Sequence, residues 1–393
     1  MKARTQTLSI ALLAAGAAWN AGNVGPIVDS LREEFSISLT EVGLLSGSFL
    51  FAAMLLAKLS GPTIGRRVGA ANAARLGCVC CAAGNLVCAI GPSIGVLFAG
   101  RALAGFGFGL AALVGPAIAR SIGGARLLGV FGAGIMAGVG LALGVGGLLE
   151  ASGVDWRAVF GVSALVALLP LPFLPRRVEV AQPGAPRHGI VGRLIRSGGL
   201  WRLGLLFAAA VGVPLVLSAW LVHYLTADGG DINPGLAGLL AFVIFAAAGV
   251  ARISGGRLEQ RRVSETLLTG VAPLFAAIGV AAIALGRDSI AIVLPAAVLV
   301  GAGCSLPYVA LVDEAERLFP RSPLPAISFV TLGANVFPMA AIPLVGVALD
   351  GGRGEAALVA LAMLVAIAGI VNLKPAAAPI AREPPTAERS SNA

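Results

Sequence analysis

The feature of this sequence that most limits its fold is a series of long apolar runs that recurs along almost the whole chain. A helix of roughly 20 apolar residues crosses the ~30 Å hydrocarbon core of a bilayer, where no water can satisfy an open backbone. Twelve such runs occur in the 393 residues. With 58% hydrophobic and only 12% charged residues, the composition excludes a set of soluble domains. The sequence therefore predicts an all-helical, multi-pass membrane protein.

The runs form two sets of six on either side of a polar linker. The linker carries five arginines and three prolines and is too short to fold as an enzyme. The runs before it are 7–28, 42–60, 71–90, 94–119, 127–149 and 156–174, and those after it are 201–226, 234–251, 263–285, 290–312, 324–349 and 356–373. We therefore expect an N-terminal six-helix bundle over 1–174, a cytoplasmic linker over 175–199, a C-terminal six-helix bundle over 200–373, and a disordered cytoplasmic tail over 374–393.

The distribution of charge predicts how the helices are oriented. With both termini in the cytoplasm, the basic residues lie on the inner side, except Arg32, Arg157, Arg287 and Arg353 outside and Arg101 within a span. We expect a multi-pass protein of the inner or plasma membrane. The net charge of +9 does not indicate a nucleic-acid partner, because the basic residues form short clusters between apolar runs.

The two halves also share short sequence repeats. Residues 61–68 read GPTIGRRV and residues 256–263 read GRLEQRRV, so both follow the pattern G-x-x-x-x-R-R-V at the same place in their halves. Residues 103–107, LAGFG, resemble residues 299–303, LVGAG. Duplicated membrane halves are typical of secondary transporters.

Four local patterns resemble those of the major facilitator superfamily. The loop at 61–69 is similar to the G-x-L-x-D-R-x-G-R-R signature without its Asp, and 101–109, RALAGFGFG, resembles R-x-x-x-G-x-G-x-G. Residues 138–147 are glycine-rich like the antiporter element of helix 5, with Val145 in place of proline, and 155–160, DWRAVF, resembles the start of helix 6. The resemblance implies twelve helices in two pseudo-symmetric six-helix bundles, with helices 1, 4, 7 and 10 lining the path.

The repeated basic loops are candidates for gating. Arginines at helix ends can bind helix C-terminal carbonyls and neighbouring carboxylates, which would latch one conformation. The alternatives are that these arginines only follow charge topology and that the glycines only allow close helix packing. The candidate gating residues are Gly61, Arg66, Arg67, Gly256, Arg261, Arg262 and Gly144.

Arg101 is the strongest candidate for substrate binding or coupling. It lies nine residues past Pro92, which is roughly 13 Å into the bilayer at 1.5 Å per residue. A buried guanidinium is costly and is normally paired or functional. Arg101 could attract an anionic solute or promote proton release from an acid, whereas the structural alternative is that it binds backbone carbonyls.

Other polar residues within the spans are further candidates. Trp19, Asn20 and Asn23 share one side of the first span, and Asn335 lies at mid-depth in the eleventh. Asparagines also join helices, and residues near span ends also anchor at the membrane surface, so these structural alternatives stay open. The candidates in the seventh and tenth spans are Ser218, Trp220, His223 and Tyr308.

Several absences shape the functional hypothesis. No Asp or Glu lies centrally in any predicted span, so proton coupling is left open. The five cysteines show no metal-binding spacing, and no nucleotide-binding loop is present, so we expect no metal, no cofactor and no enzymatic activity. The expected partners are a small-molecule solute, the lipid bilayer and, where transport is coupled, protons. We expect the protein to be a monomer.

Three functions are compatible with these patterns. The first is a secondary transporter that exports drug-like compounds or metabolites by alternating access with proton linkage. The second is an uptake carrier for a small organic or inorganic anion, similar to cyanate or nitrate carriers, with Arg101 as the counter-charge. The third is a membrane sensor that kept the fold and moves no solute.

Overall fold

In the computed structural model, the described residues are 3–178, 190–227, 232–260, 263–264, 266–320 and 322–373. Their regular secondary structure is entirely helical. The predicted tail, most of the linker, and the candidate residues Arg261 and Arg262 lie outside the described residues.

Twelve membrane-spanning segments can be traced through these ranges. Nine described helical stretches are long and apolar enough to span a membrane. One of them, Ile94–Ala151, contains helices 4 and 5, while helices 1 and 6 have shorter α-helical parts. The segments are helix 1 (Ala3–Ala18 and its continuation), helix 2 (Leu39–Val68), helix 3 (Ala70–Ile90), helices 4 and 5 (Ile94–Ala151), helix 6 (Arg157–Leu168), helix 7 (Gly198–Thr226), helix 8 (Pro234–Gln260), helix 9 (Leu267–Leu285), helix 10 (Ile290–Ser305 and Tyr308–Leu318), helix 11 (Pro323–Asp350) and helix 12 (Gly354–Asn372).

Two breaks interrupt the helices of the N-terminal half. Helix 4 ends and helix 5 begins at Gly123 and Gly124, where Gly124 has a φ of +58°, a conformation that favours glycine. Helix 1 leaves the α-helical form in its C-terminal third and continues through two 3₁₀ turns, Trp19–Ala21 and Gly25–Ile27. A helix interrupted in this way exposes backbone carbonyls that neighbouring side chains must satisfy.

The glycine contacts show that the two halves share one packing arrangement. A Cβ on Gly105 of helix 4 would lie 2.2 Å from the Leu50 carbonyl oxygen of helix 2, and one on Gly301 of helix 10 would lie 2.0 Å from that of Ile244 in helix 8. These two glycines occupy the same place in the sequence repeat. Only glycine permits such close approach of helix backbones. The prediction of two pseudo-symmetric bundles is confirmed.

Among the described residues, the most extensive contacts between the halves are made by helix 1 with helix 7, helix 2 with helix 11, and helix 5 with helix 8. Helix 2 and helix 11 are tightly packed where helix 2 begins and helix 11 ends. A Cβ on Gly346 there would lie 2.6 Å from the Leu39 carbonyl oxygen. We call this side of the molecule, which includes Asp29, Leu39 and Asp350, the closed end, and the opposite side the basic end.

Candidate functional site

Arg101 lies at the centre of a buried hydrogen-bond network inside the N-terminal half. Its Nη2 donates to the Asn20 carbonyl oxygen at 2.7 Å and its Nη1 to Asn23 Oδ1 at 2.9 Å. Its Nε donates to the Leu45 carbonyl oxygen at 3.5 Å. The break in helix 1 frees the Asn20 carbonyl for this contact. Arg101 therefore joins helix 4 to helices 1 and 2.

The network continues through polar side chains of helices 3 and 6. Asn23 Nδ2 donates to Asn85 Oδ1 and to Ser163 Oγ, both at 3.0 Å, and Asn85 Nδ2 donates to Asn20 Oδ1 at 2.7 Å. Trp19 Nε1 also donates to Ser163 Oγ, at 3.0 Å. We call the residues Trp19, Asn20, Asn23, Asn85, Arg101 and Ser163 the Arg101 cluster.

The Arg101 cluster is closed to the path between the halves. Arg101 is 1% exposed and Asn23 and Asn85 are 0% exposed. Because its acceptors come from the same half of the molecule, the guanidinium is already satisfied without a solute. This geometry supports the structural alternative for Arg101, in which it fixes the broken part of helix 1 against helices 2 and 4.

At the closed end, side chains of one half bind backbone groups of the other. Asp350 accepts from the Leu39 and Thr40 amides at 2.8 and 2.9 Å, so it caps the start of helix 2. Ser218 Oγ lies 3.1 Å from the Ala21 carbonyl oxygen and 2.7 Å from the Leu215 carbonyl oxygen of its own helix, so it shares one proton between them. The candidate His223 contacts Asp29, with Nδ1 2.8 Å from the carboxylate oxygen.

Trp220, a candidate on helix 7, serves a different purpose. Its Nε1 donates to the Ile342 carbonyl oxygen of helix 11 at 2.9 Å, and the ring is 1% exposed. Because both helices belong to the C-terminal half, Trp220 stabilises that half rather than the contact between the halves.

Near mid-depth, a charged side chain crosses between the halves. Lys58 Nζ of helix 2 donates to Asn335 Oδ1 of helix 11 at 3.0 Å. Asn335, a predicted candidate, thus lies at the boundary between the halves. Its Nδ2 donates to the Thr331 carbonyl oxygen of its own helix at 3.0 Å.

The predicted candidate Tyr308 also has a cationic partner. Arg252 of helix 8 places its guanidinium carbon 4.1 Å from the centre of the Tyr308 ring, a cation–π contact. Phe207 packs on the same tyrosine with ring centres 5.8 Å apart. The Nε of Arg252 is buried and has no hydrogen-bond partner among the residues that the structure describes.

The predicted gating residues make fewer contacts with other helices than the residues described above. Arg66 and Arg67 are exposed, and among the described residues Arg66 donates a hydrogen bond to Thr63 of its own helix, at 3.2 Å. Gly61 packs closely on Leu113 of helix 4, whereas Gly144 has ordinary space beside Phe242. Gly256 belongs to helix 8, and its surroundings are outside the described part. The latch stays a prediction.

Sequence reasoning missed four polar residues that the structure brings into these sites: Asn85, Ser163, Lys58 and Arg252. Lys58 lies inside the predicted span 42–60, and an ionisable residue at that depth is a signal for function. Arg252 immediately follows the predicted end of its span, a position that indicates an ordinary helix-end charge. Asn85 and Ser163 carry no signal in the sequence that distinguishes them from ordinary helix-joining residues.

Two pseudo-symmetric six-helix bundles with a polar boundary between them define an integral membrane transporter fold. The family model described as "Major Facilitator Superfamily" matches residues 9–327. The chain belongs to this family, whose members are transporters rather than enzymes.

Among curated proteins, the chain is similar to a probable multidrug-efflux transporter of Mycobacterium tuberculosis strain CDC 1551 and to its counterpart in strain H37Rv. Each is 28% identical over 238 residues, which covers 56% of this chain and 49% of the relative. The chain thus spans about half the length of the curated relatives that it matches.

Solved structures show the same fold. A D-xylose–proton symporter aligns with a TM-score of 0.76 at 14% identity over 95% of this chain and 97% of that chain. A bacterial homologue of the human lysosomal transporter Spinster, in an inward-facing and occupied conformation, aligns with a TM-score of 0.70 at 18% identity over 93% and 95%. At these identities, the likeness concerns the fold alone.

Proposed function

We propose that this chain is a secondary active transporter that exports small, largely apolar organic solutes by alternating access, with export linked to protons. The rocking units are the bundles 1–174 and 200–373. The charge pattern supports a cytoplasmic basic end, with both termini there, in an inner or plasma membrane.

The observation that carries this proposal is the construction of the closed end. The halves meet there through a small set of hydrogen bonds from side chains to backbone groups, chiefly from Asp350 and Ser218, and through glycine packing. Each bond contributes only about 1 kcal/mol. Two states that exchange such contacts for others differ little in free energy, as alternating access requires.

The solute class rests on the relatives and on the lining of the boundary. Both curated relatives are named as probable multidrug-efflux transporters. The aromatic side chains Phe207 and Tyr308 pack beside Arg252, which approaches Gly132 of the other half, and they suit flat apolar solutes. Proton linkage is supported by the His223–Asp29 contact, in which an imidazole of one half meets a carboxylate of the other half.

Exchange of solutes in proteoliposomes tests the proposal. Purified full-length protein is reconstituted with trapped ethidium, chloramphenicol or fluorescein, and counterflow of the labelled solute is followed with and without a pH gradient. We expect protein-dependent exchange of at least one solute and faster net flux under a gradient. Folded protein that exchanges none of the three would contradict the proposal and favour the non-transporting sensor.

An anion carrier is the second candidate, and one observation favours it. The sequence suggests Arg101 as the counter-charge for an anion, but Arg101 already donates its hydrogen bonds to groups of its own half. Lys58 instead supplies a cation at the boundary between the halves. Faster exchange of fluorescein than of ethidium and chloramphenicol would favour an anionic solute.

A further inference from the structure

Two basic side chains occupy equivalent places in the two halves. Gly105 of helix 4 meets the carbonyl of Leu50, and the equivalent Gly301 of helix 10 meets that of Ile244. Leu50 and Ile244 are 194 positions apart. Lys58 and Arg252 are separated by the same 194 positions. Helix 2 and helix 8 therefore each carry one basic residue at the corresponding depth. They lie about 15 Å and about 12 Å, respectively, from the basic ends of their helices.

Both residues face the boundary between the halves. Lys58 reaches Asn335 on helix 11. Arg252 lies against helix 5, because a Cβ on Gly132 would be 3.9 Å from its Cδ. The pairs of helices 2 with 11 and 8 with 5 are related by the internal symmetry. The two cations consequently flank the path from opposite halves.

Neither cation has an acidic partner within the part of the chain that the structure describes. Lys58 binds an uncharged amide, and Arg252 stacks on Tyr308. The buried Nε of Arg252 is left without an acceptor. Arg101 differs, because its cluster supplies acceptors to all three of its donor groups.

A cation without an acidic partner is costly within the membrane, and a bound carboxylate would offset much of that free-energy cost. A guanidinium binds a carboxylate through two parallel hydrogen bonds, and an ammonium adds a mobile point charge. We propose that Lys58 and Arg252 bind the acidic group of an organic anion that moves along the path between the halves. This inference rests on the proposed transport function and adds that a transported solute carries an acidic group on its otherwise apolar body.

The test compares solute charge with residue charge in proteoliposomes that contain the full-length protein. Counterflow of fluorescein, an anion, is measured beside that of ethidium and chloramphenicol. The variants are Lys58→Gln and Arg252→Gln, with Lys58→Arg and Arg252→Lys as charge-preserving controls. Arg126→Gln, an exposed position at the basic end, is the matched control for loss of one positive charge.

We expect the wild type to exchange fluorescein and each Gln variant to need a fluorescein concentration about 10-fold or more higher for half-maximal exchange. The charge-preserving variants should stay close to the wild type, and so should Arg126→Gln. A purely structural role would lower exchange of every solute alike.

The outcomes separate this inference from the proposed function. Exchange of ethidium or chloramphenicol without exchange of fluorescein would overturn the inference and leave the transport function standing. Fluorescein exchange that survives in both Gln variants would also overturn it. Absence of all exchange by folded protein would contradict the transport function itself.

Discussion

Arg101, within one half, and Lys58 and Arg252, between the halves, form two groups of cations with opposite surroundings. Arg101 lies inside one half, and each of its donor groups has an acceptor on helix 1 or helix 2. Lys58 and Arg252 lie between the halves and lack a carboxylate among the described residues. A cation whose bonds are all internal to a bundle stabilises that bundle. A cation left incompletely paired at a boundary is available to a solute.

The largest expected effect comes from removing the internal cation. Arg101→Met leaves the carbonyls of Asn20 and Leu45 and the Asn23 amide oxygen without a donor, so we expect a loss on the order of 3 kcal/mol in unfolding free energy. Lys58→Met, the matched variant, should change the unfolding free energy by less than about 1 kcal/mol. It loses the hydrogen bond to Asn335, but it also removes a charge that is costly within the membrane. Thermal unfolding of the purified proteins in one detergent measures both. Equal losses would remove the distinction between the two groups.

A second prediction concerns the contact between helices 1 and 7. A Cβ on Gly25 would lie 2.2 Å from the Ser218 carbonyl oxygen of the other half. Gly25→Val should therefore separate the halves at the closed end and shift the conformational equilibrium by about 10-fold or more. Spin labels at the exposed positions Glu33 and Arg353, in a variant without native cysteines, report the separation.

The matched control for that experiment is Gly161→Ala on helix 6, where a Cβ would meet no atom within 4 Å. Its distance distribution should equal that of the parent. An unchanged distribution in Gly25→Val would show that the close approach of helices 1 and 7 does not hold the closed end together.

A smaller effect is expected from the cap between helices 11 and 2. Asp350→Asn removes the charge that accepts from two amides and the Thr40 hydroxyl. A capping interaction of this kind contributes about 1 kcal/mol, which corresponds to about a 5-fold shift in the two populations. The same pair of spin labels measures it. A shift as large as that of Gly25→Val would mean that the cap, rather than backbone packing, dominates the closed end.

The smallest prediction concerns an exposed ion pair outside the membrane. The hydrogen bond from Arg157 holds the pKa of Glu34 below its ordinary value of 4.5. The pair therefore stabilises the fold above that ordinary value, and this contribution is lost as the pH falls through the lowered pKa. We expect Glu34→Gln to unfold at a slightly lower temperature than the wild type at neutral pH and at the same temperature once the pH is below the lowered pKa of Glu34. A difference that persists in acid would exclude the ion pair as its cause.

The sequence predicts the fold more completely than the site. The lengths of the apolar runs predict twelve helices, because the thickness of the bilayer sets the length of a span. The repeated glycine patterns predict two similar halves, because close helix packing requires small residues at fixed places. The sequence leaves the bonding of Arg101 between two alternatives, since it depends on carbonyls that become free only when helix 1 breaks at Trp19. Arg252 escapes prediction because helix 8 continues beyond its apolar run, so the residue lies deeper than hydropathy indicates.

The most direct test of the contrast between the two groups of cations is ligand-dependent thermal stabilisation. The unfolding temperatures of the wild type and of Lys58→Met are compared with and without fluorescein. We predict that fluorescein stabilises the wild type and that Lys58→Met, although equally stable alone, gains little from it. Equal stabilisation of the two proteins, or none of the wild type, would contradict the account.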